Sequence, residues 1–308
     1  MVFRRAQTSI LCHTRMHRQS TLSHHFSVLS VPSFSVLSVL NSFLSGCHPM
    51  HHIDLNCDMG ELPEAIADGT QEVLLRSITS ANVACGGHAG NAQTMRATVE
   101  QALRAGVALG AHPGYPDRAN FGRVELNMPP EALADSVCEQ VRACAEIAVA
   151  CSAQLVHVKP HGALYNQAVK DRALAAAIAA GVAKARSECS SGFIPLPVLV
   201  GLAGSPMLEG FRQAGFLVAA EAFADRRYEP DGTLRSRKFD DALIREPAEA
   251  ARQALSIAQH GIVTAHDCTE VQLVAHTICI HGDTPGAPQI AATVARALRD
   301  AGIALRSL

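Results

Sequence analysis

Short clusters of carboxylate, imidazole and ammonium side chains recur along this chain of 308 residues, most of them beside an apolar run. The first is Asp54-Leu55-Asn56-Cys57-Asp58, broken by Met59-Gly60 and followed by Glu61. Then come Gly86-Gly87-His88, Gly110-Ala111-His112-Pro113 and His157-Val158-Lys159-Pro160-His161-Gly162. Glu221 and Asp225 share one phase further on, and His281-Gly282-Asp283 closes the series. Side chains of these types move protons and hold anions. Asp58 or Asp225 could activate a water molecule. Lys159, flanked by Pro160 and two histidines, is placed for a desolvated cation or a general base. Arg118 and Arg123, in the loop 116–123, carry planar forked donors for a carboxylate or phosphate, although a loop arginine serves equally as half of a surface ion pair. Asp58, His88 and His112 come from three successive segments and could form a facial Asp/His/His metal site; hydrogen-bonded acid/base residues would show the same spacing.

Several other chemistries are excluded by inspection. The chain has no Gly-Lys dipeptide and so no Walker A loop, and no G-x-S-x-G, H-E-x-x-H or G-x-G-x-x-G pattern. Gly201-Leu202-Ala203-Gly204-Ser205 could hold a phosphate at the helix that follows, or simply make a tight strand-to-helix turn. Residues 1–53 hold four arginines and no acid, so 22 of the 26 basic residues remain beyond them against all 28 acidic ones, a net of −6. That sign, with no Trp and three Tyr, argues against a nucleic-acid partner. Ten cysteines without a C-x-x-C pair suggest a reducing compartment, so a cytoplasmic protein is expected. No run of eighteen apolar residues is present to span a membrane.

The elements that must position these groups can be read from periodicity. Residues 53–59 alternate as a strand, with Asp54, Asn56 and Asp58 on one face; that face either lines a site or lies on a solvated sheet edge. Further strands are expected at Ser80–Cys85, Val107–Ala111, Leu155–Val158, Val198–Val200, Leu217–Glu221, Gly261–Val263 and Thr277–Ile280. Helices are expected at Gln71–Ser80, Gln93–Ala105 (stopped by Gly106), 129–151 (opened by Pro129 and Pro130), Asp171–Ser187, Pro206–Gln213, Pro247–His260 and Pro288–Ala301. Seven or so strands alternating with helices mean a parallel sheet covered by helices. Polar residues at most of the strand ends favour an α/β, TIM-like closed barrel with its site at the mouth. Residues 50–308 are read as a single barrel catalytic domain. Residues 1–49 are rich in Ser, His and Arg and contain the direct repeat Phe-Ser-Val-Leu-Ser-Val at 26 and 34. They could be a targeting peptide, a lipoprotein signal ending at Leu44-Ser45-Gly46-Cys47, or residues upstream of a true start at Met50. The last is favoured, because the ordered pattern begins just after Met50, and the segment is expected to be disordered.

The motifs Asp54-Leu-Asn-Cys-Asp-Met-Gly-Glu61, Ala81-Asn-Val-Ala-Cys-Gly-Gly-His88-Ala-Gly90, Gly110-Ala-His-Pro113, Pro116-Asp-Arg-Ala-Asn-Phe-Gly-Arg123, His157-Val-Lys-Pro-His-Gly162, Phe223-Ala-Asp-Arg-Arg-Tyr228 and His281-Gly-Asp283 together resemble the LamB/YcsF family. The resemblance runs in order from about Ile53 to the C-terminus. It implies a seven-stranded barrel related to carbohydrate deacetylases. It also implies hydrolysis of 5-oxo-L-proline to L-glutamate, coupled to hydrolysis of ATP with its Mg²⁺, in a complex with two partners, the B and C subunits of a 5-oxoprolinase. The candidate set is then Asp58, Lys159, His161 and Asp225 for catalysis. Asn56, Glu61, His88, His112, Arg118, Arg123, His281 and Asp283 are candidates to bind substrate. The chain departs from the family's usual pattern at Gly87, commonly aromatic, at Asn91, commonly Asp, and at His276, often Asp. No transition metal is expected, because phosphorylation by ATP already activates the amide and no extra acid stands near His88 to orient it as a ligand. Competing readings are a metal-dependent amide or acetyl hydrolase acting alone and a non-catalytic substrate-binding subunit.

Overall fold

Alternation along the first strand decides the inside and the outside of the structure. In this computed structural model, which describes residues 52–308, strand β1 (His52–Met59) turns Asp54, Asn56 and Asp58 toward one interior. Ile53, Leu55, Cys57 and Met59 point to the other side and join the apolar core beneath the helices. The expectations for residues 1–49 and for Met50 lie outside the described residues.

Strands β2 (Ser80–Ala84), β3 (Ala108–His112), β4 (Leu155–Val158), β5 (Phe193–Leu202) and β6 (Leu217–Phe223) follow, each parallel to the one before. The chain then makes an antiparallel hairpin, β7 (Ile262–Thr264) with β8 (Glu270–Gln272), and returns as β9 (Thr277–Ile280). Strand β9 pairs with both β6 and β1, which closes a seven-stranded parallel barrel. A two-residue strand β10 (Ala304–Leu305) adds to the start of β1. Register carries the alternation round the ring. Asp58 stands opposite Asn82, Asn56 opposite Cys279, Glu221 opposite Thr277, and Gly110 opposite His157. The barrel interior, usually filled by branched apolar side chains, is therefore largely a polar network.

Short helices α1 (Pro63–Ala67) and α2 (Thr70–Leu75) follow β1, and α3 (Ala92–Ala105) follows β2. Asn91 caps α3 and accepts from the backbone of Gln93 and Thr94, and Gly106 ends it in the left-handed region at φ 69°. Helix α4 (Pro130–Ala150) begins with proline in its first turn and buries Leu133, Val137, Val141, Cys144 and Ala148. Full burial of each larger member of that stripe contributes about 1.5–3 kcal/mol. Helices α5 (Gly162–Ala168), α6 (Arg172–Glu188), α7 (Pro206–Gln213), α8 (Pro247–His260) and α9 (Ala287–Asp300) complete the cover.

Several sequence expectations change. The strand expected near Gly261–Val263 exists but belongs to the outer hairpin, since its two apolar residues are equally compatible with either setting. Strand β5 is ten residues long, where only Val198–Val200 in its second half is expected. The helix expected at Gln71–Ser80 stops at Leu75, because Thr79 N–H already donates to the Leu55 carbonyl. Helices α1 and α5 span less than two full turns and leave no periodicity to read.

Candidate active site

The carboxyl ends of the strands bring most of the sequence candidates into one buried cluster. Asn56 and Asp58 lie on β1, Glu61 just beyond it, His88 after β2, His112 at the end of β3, and Lys159 and His161 after β4. Lys159 Nζ donates to Asp58 Oδ1 and Glu221 Oε1, each at 2.9 Å, and lies 3.0 Å from Cys279 Sγ and 3.3 Å from Asn56 Oδ1. Burial alone would favour the neutral amine, but the neighbouring Asp58 carboxylate raises the Lys159 pKa well above its ordinary value. Lys159 is thus a fixed cation; this geometry does not suit a general base. Burial likewise opposes ionisation of Asp58, yet the fields of His112 and Lys159 hold its carboxyl well below the usual range. Asn82 Nδ2 donates to Asp58 Oδ1 (2.8 Å) and Asn56 Oδ1 (2.7 Å), while its own Oδ1 accepts from His157 Nε2 (2.7 Å).

Three imidazoles surround Glu61. His88 and His161 stack with centroids 3.6 Å apart and planes 6° from parallel, and His112 stands edge-on to both. Burial pushes His88 down to about 3, so its neutral ring donates Nε2–H to Glu61 Oε1 at 2.9 Å. Burial also lowers His161. Burial opposes ionisation of Glu61, and the neighbouring His161 and His88 outweigh it, so its carboxyl is held well below the usual range. Glycines make room for the stack: a Cβ at Gly122 would lie 2.6 Å from His88 Cβ, and one at Gly114 would lie 2.8 Å from His88 Nδ1.

A second group adjoins the first. Asp225, just past β6, accepts from the His281 backbone N–H (3.0 Å) and from Thr284 Oγ1 (2.7 Å), and its Oδ1 lies 3.0 Å from His281 Nδ1. Burial opposes ionisation of Asp225, and His281 outweighs it, so the pKa is lowered. At the rim, Asp283 is shared by Arg123 and by Arg237, whose Nη1 is 3.1 Å away. Arg226 is buried and its Nε is unpartnered; burial and the nearby Arg237 bring its pKa down to about 10. Arg118 stands apart from this rim, donating to the carbonyls of Gly86 (2.8 Å) and Gly90 (2.7 Å) and bracing the loop that carries His88.

Besides Cys279 and Thr284, the network contains five residues outside the candidate set: Asn82, His157, Glu221, Arg226 and Arg237. Glu221 and His157 share the phase of residues already singled out. Asn82 becomes visible only once β1 and β2 are in register. The 224–245 excursion that carries the two arginines has no periodicity to mark them. The family departures also acquire physical content. A Cβ at Gly87 would lie 2.2 Å from Gln140 Oε1, so Gln140 occupies the space an aromatic residue would need. Asn91 caps a helix, which Asp does equally well. His276 Nδ1 accepts from the Ala220 backbone N–H.

A cavity of about 720 Å³ lies elsewhere, lined by Leu208 and Arg212 of α7, Ile257 of α8 and residues 272–276, and it touches none of this chemistry. All eight cysteines among the described residues are unpaired. No helix among them is long and apolar enough to cross a membrane.

A closed parallel barrel that gathers acids, imidazoles and an ammonium at its strand ends defines a β/α-barrel protein, with its candidate site at the C-terminal mouth. The chain belongs to the LamB/YcsF family, whose profile matches residues 53–308. It is 49% identical over 258 residues to the A subunit of 5-oxoprolinase from Chloroflexus aggregans, covering 84% of this chain and 99% of that protein. It is 47% identical over 256 residues to the protein of that name from Methylococcus capsulatus, covering 83% and 95%. Among solved structures it is similar to a lactam utilization protein from Thermus thermophilus, with a TM-score of 0.75 and 40% identity over 83% of this chain and 100% of that one.

Proposed function

We propose that this chain is one component of an ATP-dependent 5-oxoprolinase that opens 5-oxo-L-proline to L-glutamate, working in the cytoplasm with B and C subunits as partners. The carrying observation is its identity, over nearly their whole length, to proteins named as the A subunit of 5-oxoprolinase. The site supplies what the chemistry needs. A lactam carbonyl is a poor electrophile until amide resonance is broken. Transfer of the γ-phosphoryl group of Mg²⁺-bound ATP to the lactam oxygen forms an O–P bond and releases ADP. Water then adds to the activated carbon, the C–N bond opens as the ring nitrogen takes a proton to become the amine of glutamate, and a second water hydrolyses the acyl phosphate so formed to the carboxylate and phosphate. Activation of the attacking water falls to the cluster of Asp58, Glu61, His112 and His161, with Lys159 fixing Asp58. Asp225 and His281 form a second acid–imidazole pair beside it. Arg123 and Arg237 pair with the Asp283 carboxylate and the buried Arg226 lies in the field of both, so three guanidinium groups against few acids suit an anion, either the substrate carboxylate or the phosphoryl group.

The test is reconstitution with the B and C subunits, following glutamate and ADP. Asp58→Asn and His161→Ala should each lower turnover by about a hundredfold or more; His161→Ala should leave the melting temperature near wild type, whereas Asp58→Asn takes one of two carboxylate partners from the buried Lys159 and should lower it. Lys159→Ala should also abolish turnover, but it leaves Asp58 and Glu221 buried without their cation and so costs about 3–5 kcal/mol of stability. Absence of glutamate from the wild-type complex, or near-wild-type rates in two of the three variants, would overturn the reading.

A further inference from the structure

Imidazole nitrogens and a carboxylate oxygen from three parts of the chain converge at the barrel mouth. His112 Nδ1 lies 2.7 Å from the Lys159 carbonyl and so carries one proton, which leaves Nε2, the atom facing Asp58, to hold a second proton or a metal ion; burial opposes a charged ring, but the Asp58 carboxylate raises its pKa. His161 Nε2 lies 2.9 Å from the Phe121 carbonyl, so its proton is there and Nδ1 is the lone pair. The two inward nitrogens are 3.0 Å apart. Glu61 Oε1 lies 3.2 Å from His161 Nδ1 and 3.8 Å from His112 Nε2. Asp58 Oδ2 lies 3.3 Å from His112 Nε2. A second proton on His112 can bridge to His161 or to Asp58, but His161 Nδ1 and Glu61 then still oppose each other; one metal ion in its place answers all three groups at once.

The distances fit an ion. Ligand atoms about 2.1 Å from a tetrahedral centre stand about 3.4 Å apart, a value the three separations among Glu61, His112 and His161 straddle. The outer shell is also complete. Each histidine gives its other N–H to a backbone carbonyl, and Glu61 is oriented by His88, the arrangement that aims metal ligands. His88 itself is excluded as a ligand. Its ring lies parallel to His161, so the in-plane lone pairs of the two rings cannot meet at one point.

We propose that Glu61, His112 and His161 form a binding site for one divalent transition-metal ion of the zinc, cobalt or manganese class. Two imidazoles and a carboxylate favour such an ion over calcium or magnesium and leave coordination positions open for water or substrate. The site departs from the expectation drawn from the sequence, both in having a metal and in replacing Asp58 and His88 with Glu61 and His161. It does not depend on the lactam reaction, and its test needs no turnover.

The full chain, stripped with a chelator that is then removed, is titrated with Co²⁺ and Zn²⁺ while calorimetry and visible absorption are followed. One equivalent should bind per chain, with cobalt d–d bands and no thiolate charge-transfer band. His112→Ala and Glu61→Gln should each weaken binding by more than a hundredfold. His88→Ala, which removes only an orienting bond, should weaken it about tenfold, and His276→Ala should leave it unchanged. Melting curves of the metal-free proteins show which variants are folded, and saturating Zn²⁺ should raise the melting temperature of wild type but not of His112→Ala. Failure of wild type to bind either ion, a thiolate band, or wild-type affinity in both ligand variants would overturn the proposal.

Discussion

At the scale of single residues, the interior polar network makes stability depend on protonation, and His157 shows how. Its Nε2–H is committed to Asn82, its Nδ1 is buried without a partner, and Lys159 and His112 add positive charge nearby, with Asp58 the one opposing field. Burial, reinforced by Lys159, pushes its pKa down to about 3. The unfolded chain takes up that proton below about 6.5, whereas the folded chain resists it. The stability from this residue is therefore fully present above about pH 6.5 and is lost as pH falls toward the folded value, on the order of 2 kcal/mol by pH 5. His157→Gln keeps a donor for Asn82 but cannot titrate. Its melting temperature should fall less steeply than that of wild type between pH 7 and 5; parallel slopes would show that His157 is not the group responsible. Alternation along the strands was enough to place Asp58, His112 and Lys159 on one interior. The contact of Lys159 with Glu221 joins residues far apart in the chain, and no local pattern in the sequence reports it.

At the scale of elements, the strands accommodate these side chains by leaving space in particular places. Gly110 on β3 stands opposite His157, and a Cβ there would lie 2.1 Å from the imidazole Nε2. In a strand interior glycine is usually a weakness; here it lets the ring cross to Asn82. Gly110→Ala should cost about 1–3 kcal/mol as a small-to-large change in a packed site. Combining it with His157→Ala should cost clearly less than the sum of the two single changes, because losing the imidazole removes the clash and the new methyl fills part of the space the imidazole leaves. Simple additivity in thermal unfolding would show that the two sites do not share this space. Strand-ending clusters and proline or glycine stops made most elements legible, with α7 and α8 matching their expected ends. Elements of two to five residues, such as β8, β10 and α1, owe their form to the surfaces they join, and so a local pattern cannot announce them.

At the scale of the whole chain, closure is the property on which the site depends, because Asp58, Lys159 and Glu221 meet only if β9 bridges β6 and β1. Strand β1 is paired from His52, whose partner in β10 is Ala304, and the pairings that close the described barrel begin at Asp54 opposite Thr277. The family match begins at residue 53. Two shortened chains therefore have opposite expected outcomes. A chain starting at Met50 retains all of β1 and should melt within about 2 °C of the full chain, as expected when no buried contact of the barrel is lost. A chain starting at Asn56 loses Ile53, Leu55 and the Asp54 ladder, and with them the seam between the first and last barrel strands, so it should show no cooperative unfolding. Circular dichroism melts of the three proteins side by side decide the matter. A large loss of stability on removing residues 1–49 would mean that the upstream segment supports the barrel, and a folded chain lacking residues 52–55 would mean that closure through β1 and β9 is not what holds the structure together.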